Sequence, residues 1–364
     1  MLRRSVILLA LTAAACAKPD ATASPVDPSP QPAAPEAEAT PPAASSPFSP
    51  EAIESALAYS AQHSGHAVLI VHDGREVASA FQNGWEPTKP HPLASGTKSF
   101  WGPLAVAAVD DGLLTSLDER AAETITEWSD DPRRSQITVR QLLSLTAGLA
   151  PDLGVTIEQV PQADMFGLTV AAAAEHDPGA KWAYSDSGHT AVGVVLDRKL
   201  AAKGSSLERY VHERLLQPAG IETTDWQRDG AEHLLMPSGA RLTPTQWAAY
   251  GEVIRTGGLA ADGERVLSAD QLAACFEPSA APPAGQFYGL GWWLTSYTSF
   301  QYDLPHDMVI AGGSGGQYLF VIPSANLTIV RFGNSEDFVD GEFLCRLFHN
   351  TGREGCPTKG KPTE

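Results

Sequence analysis

Among the eight lysines of the chain, only Lys98 lies three residues after a serine, Ser95, in the run S-G-T-K. On the first turn of a helix that spacing puts both side chains on one face, where the amine can serve the hydroxyl as its base. The helix N-terminus adds free N–H groups and positive partial charge for a developing oxyanion. Chance alone supplies about one such pair in a chain of this size at ordinary Ser and Lys frequencies. Context must therefore decide between a nucleophile and a capping serine beside a solvated lysine. A second serine competes, because Gly312-Gly313-Ser314-Gly315-Gly316 fits the G-x-S-x-G elbow, with Asp340 and His349 downstream in the order an α/β-hydrolase requires. Only fifty residues follow Ser314, which leaves little room for the strands and helices that separate elbow serine from histidine. The ten histidines form no H-x-H-x-D or H-E-x-x-H pattern, and no phosphate-cradling glycine loop leads into a helix with the right lysine. Neither a metal nor a nucleotide nor any other cofactor is expected.

The 364 residues carry a net charge of −18, with 43% hydrophobic and 19% charged residues. That suffices for a large core and is too acidic for a nucleic-acid binder. Residues 1–15 read as an export signal, with Arg3 and Arg4, an apolar stretch from Ser5 to Leu11, and small residues Ala13 to Ala15 before Cys16. The apolar part is shorter than the roughly 20 residues that span a bilayer. Residues 16–48 read as a Pro/Ala-rich tether, since ten prolines and no glycine between Ala17 and Pro50 favour extended, semi-rigid chain. The folded region is expected over 49–357, with an α/β lobe at about 49–94 and 236–357, a helical lobe at about 95–235, and a tail at 358–364.

Within it, Ser49-Pro50 opens a helix with Ile53, Leu57 and Ala61 in phase, and His66–His72 and Glu76–Phe81 flank the hairpin turn Asp73-Gly74. Apolar stretches at Pro103–Val109, Val139–Leu145, Val170–His176 and Ala191–Leu200 read as helices, and Thr243-Pro244 opens another. Strands are expected at Gly289–Leu294, Met308–Ala311, Gln317–Ile322 and Leu327–Phe332, then a helix near Phe338–His349. The fold class is therefore α+β: an antiparallel sheet flanked by helices plus an all-helical lobe, with the site in the cleft between them. Asp118–Arg120 and the cluster of Asp130, Asp131, Arg133 and Arg134 read as solvated faces. One disulfide among Cys275, Cys345 and Cys356 fits an exported protein; the pairing is open, although Cys345 and Cys356 are close enough for a local loop.

Five segments occur in order: L-A-S-G-T-K-S-F around Ser95, I-T-V-R-Q-L-L-S-L-T-A-G-L at Ile137–Leu149, G-A-K-W-A-Y-S-D-S-G-H at Gly179–His189, Y-G-L-G-W-W-L at Tyr288–Leu294, and G-G-S-G-G-Q-Y-L-F-V-I-P at Gly312–Pro323. Together they resemble the serine β-lactamase-like superfamily of class C β-lactamases, DD-peptidases, related esterases and 6-aminohexanoate-dimer hydrolases. The small residues ending in Cys16 resemble the lipobox of bacterial lipoproteins, with Ala13 where leucine is usual. That implies a lipid anchor on Cys16 and a place in the bacterial cell envelope, facing the periplasm or the exterior.

The resemblance implies Ser95 as the acylated nucleophile, Lys98 as its base, and Tyr184 across the cleft as proton relay. It further implies an oxyanion hole from the backbone N–H groups of Ser95 and Gln317, and a substrate cleft including Asp186, Ser314, Gly315 and Gly316. His189, Trp292 and Trp293 lie close to these motifs as lesser candidates for the cleft wall. Two positions depart from the family pattern. Asp186 stands where asparagine is preferred, and a carboxylate there can pair with Lys98 and hold it charged, weakening it as a base. Ser314 stands where the third motif has lysine or histidine, removing a cationic anchor for a substrate carboxylate. The expected function is an envelope-tethered serine hydrolase acting on an uncharged ester or small amide, rather than an efficient β-lactamase. The alternative is a non-catalytic member binding a peptidoglycan-like ligand.

Overall fold

Alternation of apolar residues sets the sheet, and the computed structural model describes residues 46–222, 224–294 and 301–358. The first helix, α1 (Pro50–Gln62), starts where Ser49 Oγ accepts the N–H of Ala52 and Pro50 fills the first helical position. Strands β1 (Gly65–His72) and β2 (Arg75–Phe81) follow. Asp73 and Gly74 both have positive φ (50° and 72°), the geometry of a two-residue hairpin turn whose twist matches its strands. After the two-residue β3 (His91–Pro92), a 3₁₀ segment Ala94–Phe100 runs directly into α2 (Trp101–Asp110). The middle of the chain supplies α3 (Val139–Leu143), α4 (Met165–Ala171), α5 (Ser187–Ala201) and α6 (Leu207–Val211). Short strands β4 (Asp225–Trp226) and β5 (Ala240–Leu242) join β3 in a small sheet. Then come α7 (Pro244–Arg255), α8 (Ala269–Ala273), β6 (Val309–Gly313), β7 (Gln317–Ile322), β8 (Leu327–Gly333) and α9 (Asp340–His349).

The main sheet has the order β2-β1-β8-β7-β6 and every neighbouring pair is antiparallel. Strands β1, β7 and β8 are buried on both faces because both faces are covered, whereas the edge strand β2 is largely exposed. Ala67, Leu69 and Val71 of β1, with Leu319, Val321, Val330 and Phe332, join the core that includes α2, α5 and α7. Val68 and Ile70, with Phe320, Ile322, Leu327 and Ile329, face α1 and α9. The period of two in the burial is the pleat of the strands. Thr243 and Gln246 form a reciprocal capping box at the start of α7, and Thr138 and Gln141 do the same for α3.

Several local expectations are corrected. Gly289–Leu294 is not a regular strand but a tight turn: Gly289 N–H donates to Trp292 O, Gly291 has φ 86°, and Trp293 alone pairs with Ile310. Strand-like composition gave way to the positive φ that only glycine adopts freely. The fourth helix starts upstream of Val170–His176 and ends at Ala171, because Asp164 caps it through the N–H of Gly167. Glu119 is buried and pairs with Lys199 at 2.8 Å, so Asp118–Arg120 is not wholly a solvated face. Cys345 and Cys356 are disulfide-bonded, and the thiol of Cys275 is buried and free.

Candidate active site

Ser95 sits at the start of the 3₁₀ segment, preceded by Ala94 in the left-handed region at φ 47°. A non-glycine residue there is strained, and such strain persists only where the surroundings hold it. They do so here. Gly96 lies against the Trp247 ring, Thr97 Oγ1 accepts the N–H of Ala240, Ser99 Oγ donates to Gly96 O, and Trp101 Nε1 donates to Met236 O. Gly96 to Phe100 are all buried, which fixes the segment while Ser95 itself borders the cleft.

Lys98 is buried, with Nζ 3.4 Å from Ser95 Oγ, 3.4 Å from Pro237 O and 2.7 Å from Asp186 Oδ1. Its side chain is 2% exposed against 52% for Asp186, so the ion pair reaches from the interior to the solvent edge. Asp186 occupies the N-cap position of α5 without capping it; the carboxylate is turned to Lys98 instead. The Tyr184 ring lies beside the same ammonium, 4.9 Å from Nζ to its centroid, and stacks on Trp293 at 6.0 Å and 12°. Among the described residues Tyr184 meets Lys98 through its ring and not its hydroxyl.

Ser95, Tyr184, Trp293, Ile310, Gly312, Gly313, Ser314 and Gly316 line one cleft of about 400 Å³, together with Tyr318, Ser335, Glu336, Phe338 and Asp340. The structure thus brings Ser95, Lys98, Tyr184, Asp186, Ser314 and Gly316 to one place, with Gly315 in the turn between the last two. Gly313 is the point of closest approach, since a Cβ built there would lie 2.2 Å from Leu93 O and 3.1 Å from Gly96 N.

Gln317 is a correction. In the β6–β7 register it opposes Gly313. Ile310 exchanges both backbone hydrogen bonds with Trp293, at 2.9 and 2.8 Å, on the outer edge of β6. Backbone groups alternate between the two edges of a strand, so Gly312 also faces outward and Gly313 faces β7. The N–H of Gln317 therefore belongs to the ladder, and its side chain bridges Ser314 O and both backbone groups of Gly333. The open edge at Gly312 presents the free backbone to the cleft instead. The competing elbow reading also fails, since Ser314 lies in a hairpin turn between two strands and His349 Nε2 is engaged with Asp303 O at 2.7 Å.

Trp293 forms part of the wall, whereas Trp292 is fully buried. His189 does not line the cleft. Burial, and secondarily the Lys98 charge, drive its imidazole well below the ordinary range, so it is neutral. Tyr318, Glu336 and Phe338 were missed by sequence reasoning, because nothing in their spacing marks them; only the hairpin register and the turn into α9 carry them to the cleft. Away from it, Asp164, Asp229 and His233 converge within 4.8 Å of one another. There Asp229 already accepts the N–H groups of Met165, Ala231 and His233, which accounts for its burial.

A model of the β-lactamase family matches residues 51–346, and the chain belongs to that family, whose members are in general serine hydrolases. No curated protein sequence matches the chain. Among solved structures the chain is similar to EstCE1, a hydrolase with promiscuous acyltransferase activity, at 17% identity over 81% of this chain and 97% of that one, TM-score 0.67. It is similar to a family VIII carboxylesterase, at 19% identity over 80% and 94%, TM-score 0.63. A penicillin-binding protein homologue from Caulobacter crescentus matches at 17% identity over 80% and 93%, TM-score 0.62.

Proposed function

We propose that the protein is a serine hydrolase that cleaves esters or small amides through an acyl-enzyme on Ser95. One observation carries the reading: the buried Lys98 amino group lies 3.4 Å from a serine hydroxyl that opens on a cleft. Lys98 acts as the neutral amine once its extra proton has passed to the Asp186 carboxylate at 2.7 Å. It takes the Ser95 proton as Oγ attacks the acyl carbon, and returns that proton to the leaving group as the acyl bond breaks. Water then adds to the acyl-enzyme and releases the acid. The oxyanion is held by the N–H of Ser95, at the start of a helical run, and by the outward N–H of Gly312 near the end of β6. The aromatic wall of Tyr184 and Trp293 suits an apolar acyl or alcohol part. No lysine, arginine or histidine lines the described cleft, which disfavours efficient turnover of carboxylate-bearing β-lactams.

A second reading, a binding protein for a peptidoglycan-like ligand, is favoured by the 2.7 Å pairing of Lys98 with Asp186. Covalent labelling with a fluorophosphonate and with a fluorescent penicillin, read by peptide mass spectrometry, decides between the two. An adduct on Ser95 supports the hydrolase; labelling at Ser314, or none, refutes it. Ser95→Ala is expected to abolish turnover with little change in melting temperature. We also propose export and tethering through a lipidated Cys16, supported by the small residues before it and the proline-rich run after it. Radiolabelled palmitate incorporation that persists in Cys16→Ala would refute the anchor.

A further inference from the structure

Taking Ser95 as the nucleophile, as proposed above, we infer that Glu336 is a built-in anion seated where a substrate carboxylate would bind, so that the cleft selects neutral or cationic acyl groups. The turn Ser314-Gly315-Gly316 ends β6 at the cleft, with Gly315 and Gly316 both left-handed at φ 78° and 79°. In a trans peptide the C=O of one residue and the N–H of the next point in opposite directions. Ser314 O points inward to Gln317 Nε2 at 3.1 Å, so the N–H of Gly315 points out. It donates to Glu336 Oε1 at 2.8 Å. Gly315 O in turn accepts the N–H of Ser335 at 3.1 Å, so two consecutive residues clamp one glycine from both sides. The carboxylate is thereby held at the rim of the cleft that contains Ser95.

What lies beneath the turn shows that this place favours an anion. Arg331 is fully buried and directs Nη1 to Gly316 O at 2.7 Å and Gly315 O at 3.4 Å, and Nη2 to His63 O at 2.7 Å. Its guanidinium also lies 3.9 Å from the centroid of Phe338, another residue of the cleft wall. Among the described residues no carboxylate lies within ion-pair distance of it. A buried guanidinium held by backbone carbonyls, under a turn whose Gly315 N–H faces outward, favours an anion at this place. Glu336 occupies it in the free protein. A second carboxylate brought in by substrate meets like charge, whereas an ammonium group meets a carboxylate and aromatic faces.

The test is a matched set of p-nitrophenyl esters of hexanoic, adipic and 6-aminohexanoic acids, which share one chain and differ only in ending with a methyl, carboxylate or ammoniomethyl group. The kcat/KM values are measured at pH 7 for the full chain and for Glu336→Gln, which keeps an acceptor for the Gly315 N–H and removes the charge. The adipate-to-hexanoate ratio is expected to rise about tenfold, and the aminohexanoate-to-hexanoate ratio to fall. Glu336→Ala, which also frees the N–H, is expected to raise the adipate ratio at least as far. Ratios unchanged within about twofold in both variants would overturn the inference, provided Ser95→Ala abolishes hydrolysis. Hydrolysis that survives Ser95→Ala overturns the hydrolase reading itself, and this inference with it.

Discussion

Replacing Gly313 by alanine probes how tightly β6 is seated against the nucleophile. The added Cβ would lie 2.2 Å from Leu93 O, 3.1 Å from Ala94 Cβ and 3.1 Å from Gly96 N. Carbon-to-oxygen contacts settle at about 3.3 Å, so strand and segment must separate by about 1 Å. Leu93 O cannot swing away, since it accepts the N–H of Gly96 while Leu93 N–H donates to Ala240 O. Overpacking of this kind costs about 1–3 kcal/mol, and a 1 Å displacement of a catalytic group costs about 100-fold in rate. Gly312→Ala is the control for folding, because its Cβ would meet nothing closer than 3.6 Å. Urea unfolding should show Gly313→Ala destabilised and Gly312→Ala close to the parent, and ester kinetics should show the loss in kcat for Gly313→Ala. A Gly313→Ala protein with parental stability and kcat would refute the close approach.

The buried His91 gives a pH dependence. Burial lowers its imidazole to about 4, aided by His66, Arg241 and Arg331 and opposed by the hydrogen bond to Pro92 O. The unfolded chain therefore binds more protons between about 6.5 and 4. The contribution, about 3 kcal/mol, is present above pH 6.5 and is lost as pH falls through 4. His91→Gln should flatten stability over that window; a slope equal to the parent's would refute it. The Cys345–Cys356 disulfide closes a loop with sequence separation 11. Replacing both cysteines by serine should cost about 3 kcal/mol by loop entropy, read as a fall in the urea midpoint, and no fall would show that the loop is constrained without it.

How much was legible depends on the range over which each signal acts. The hairpin at Asp73-Gly74, the helix start at Thr243-Pro244 and strand Gln317–Ile322 follow from neighbouring residues, and the structure has them at those places. The Ser95-Lys98 pair is equally local, and ordered motifs turned a weak pattern into a family. The error at Gln317 has a different origin. Which edge of a strand an N–H faces is set by its parity against Trp293, a partner seventeen residues away from Ile310 that composition does not announce. Glu336 and Arg331 were invisible for the same reason. An arginine in the apolar run L-T-I-V-R-F reads as solvent-facing, yet it is fully buried because backbone carbonyls of the Gly315-Gly316 turn and of His63 satisfy it.

The sheet order has a consequence for assembly. Strand β1 sits between β2, its immediate successor, and β8, the last strand described. Ala67 pairs with Phe332 and Leu69 with Val330, so the centre of the sheet cannot close until nearly the whole folded region has been synthesised. Contacts of such long sequence separation slow folding, because the entropy of closing the loop precedes the gain from pairing. A ribosome-bound chain stopped before Leu327 would hold the β1–β2 hairpin and helices α1 to α8 without α9 and without the strand that joins the hairpin to β7. Truncation from the C-terminal side should therefore act as all or none, with no intermediate length yielding a smaller stable domain.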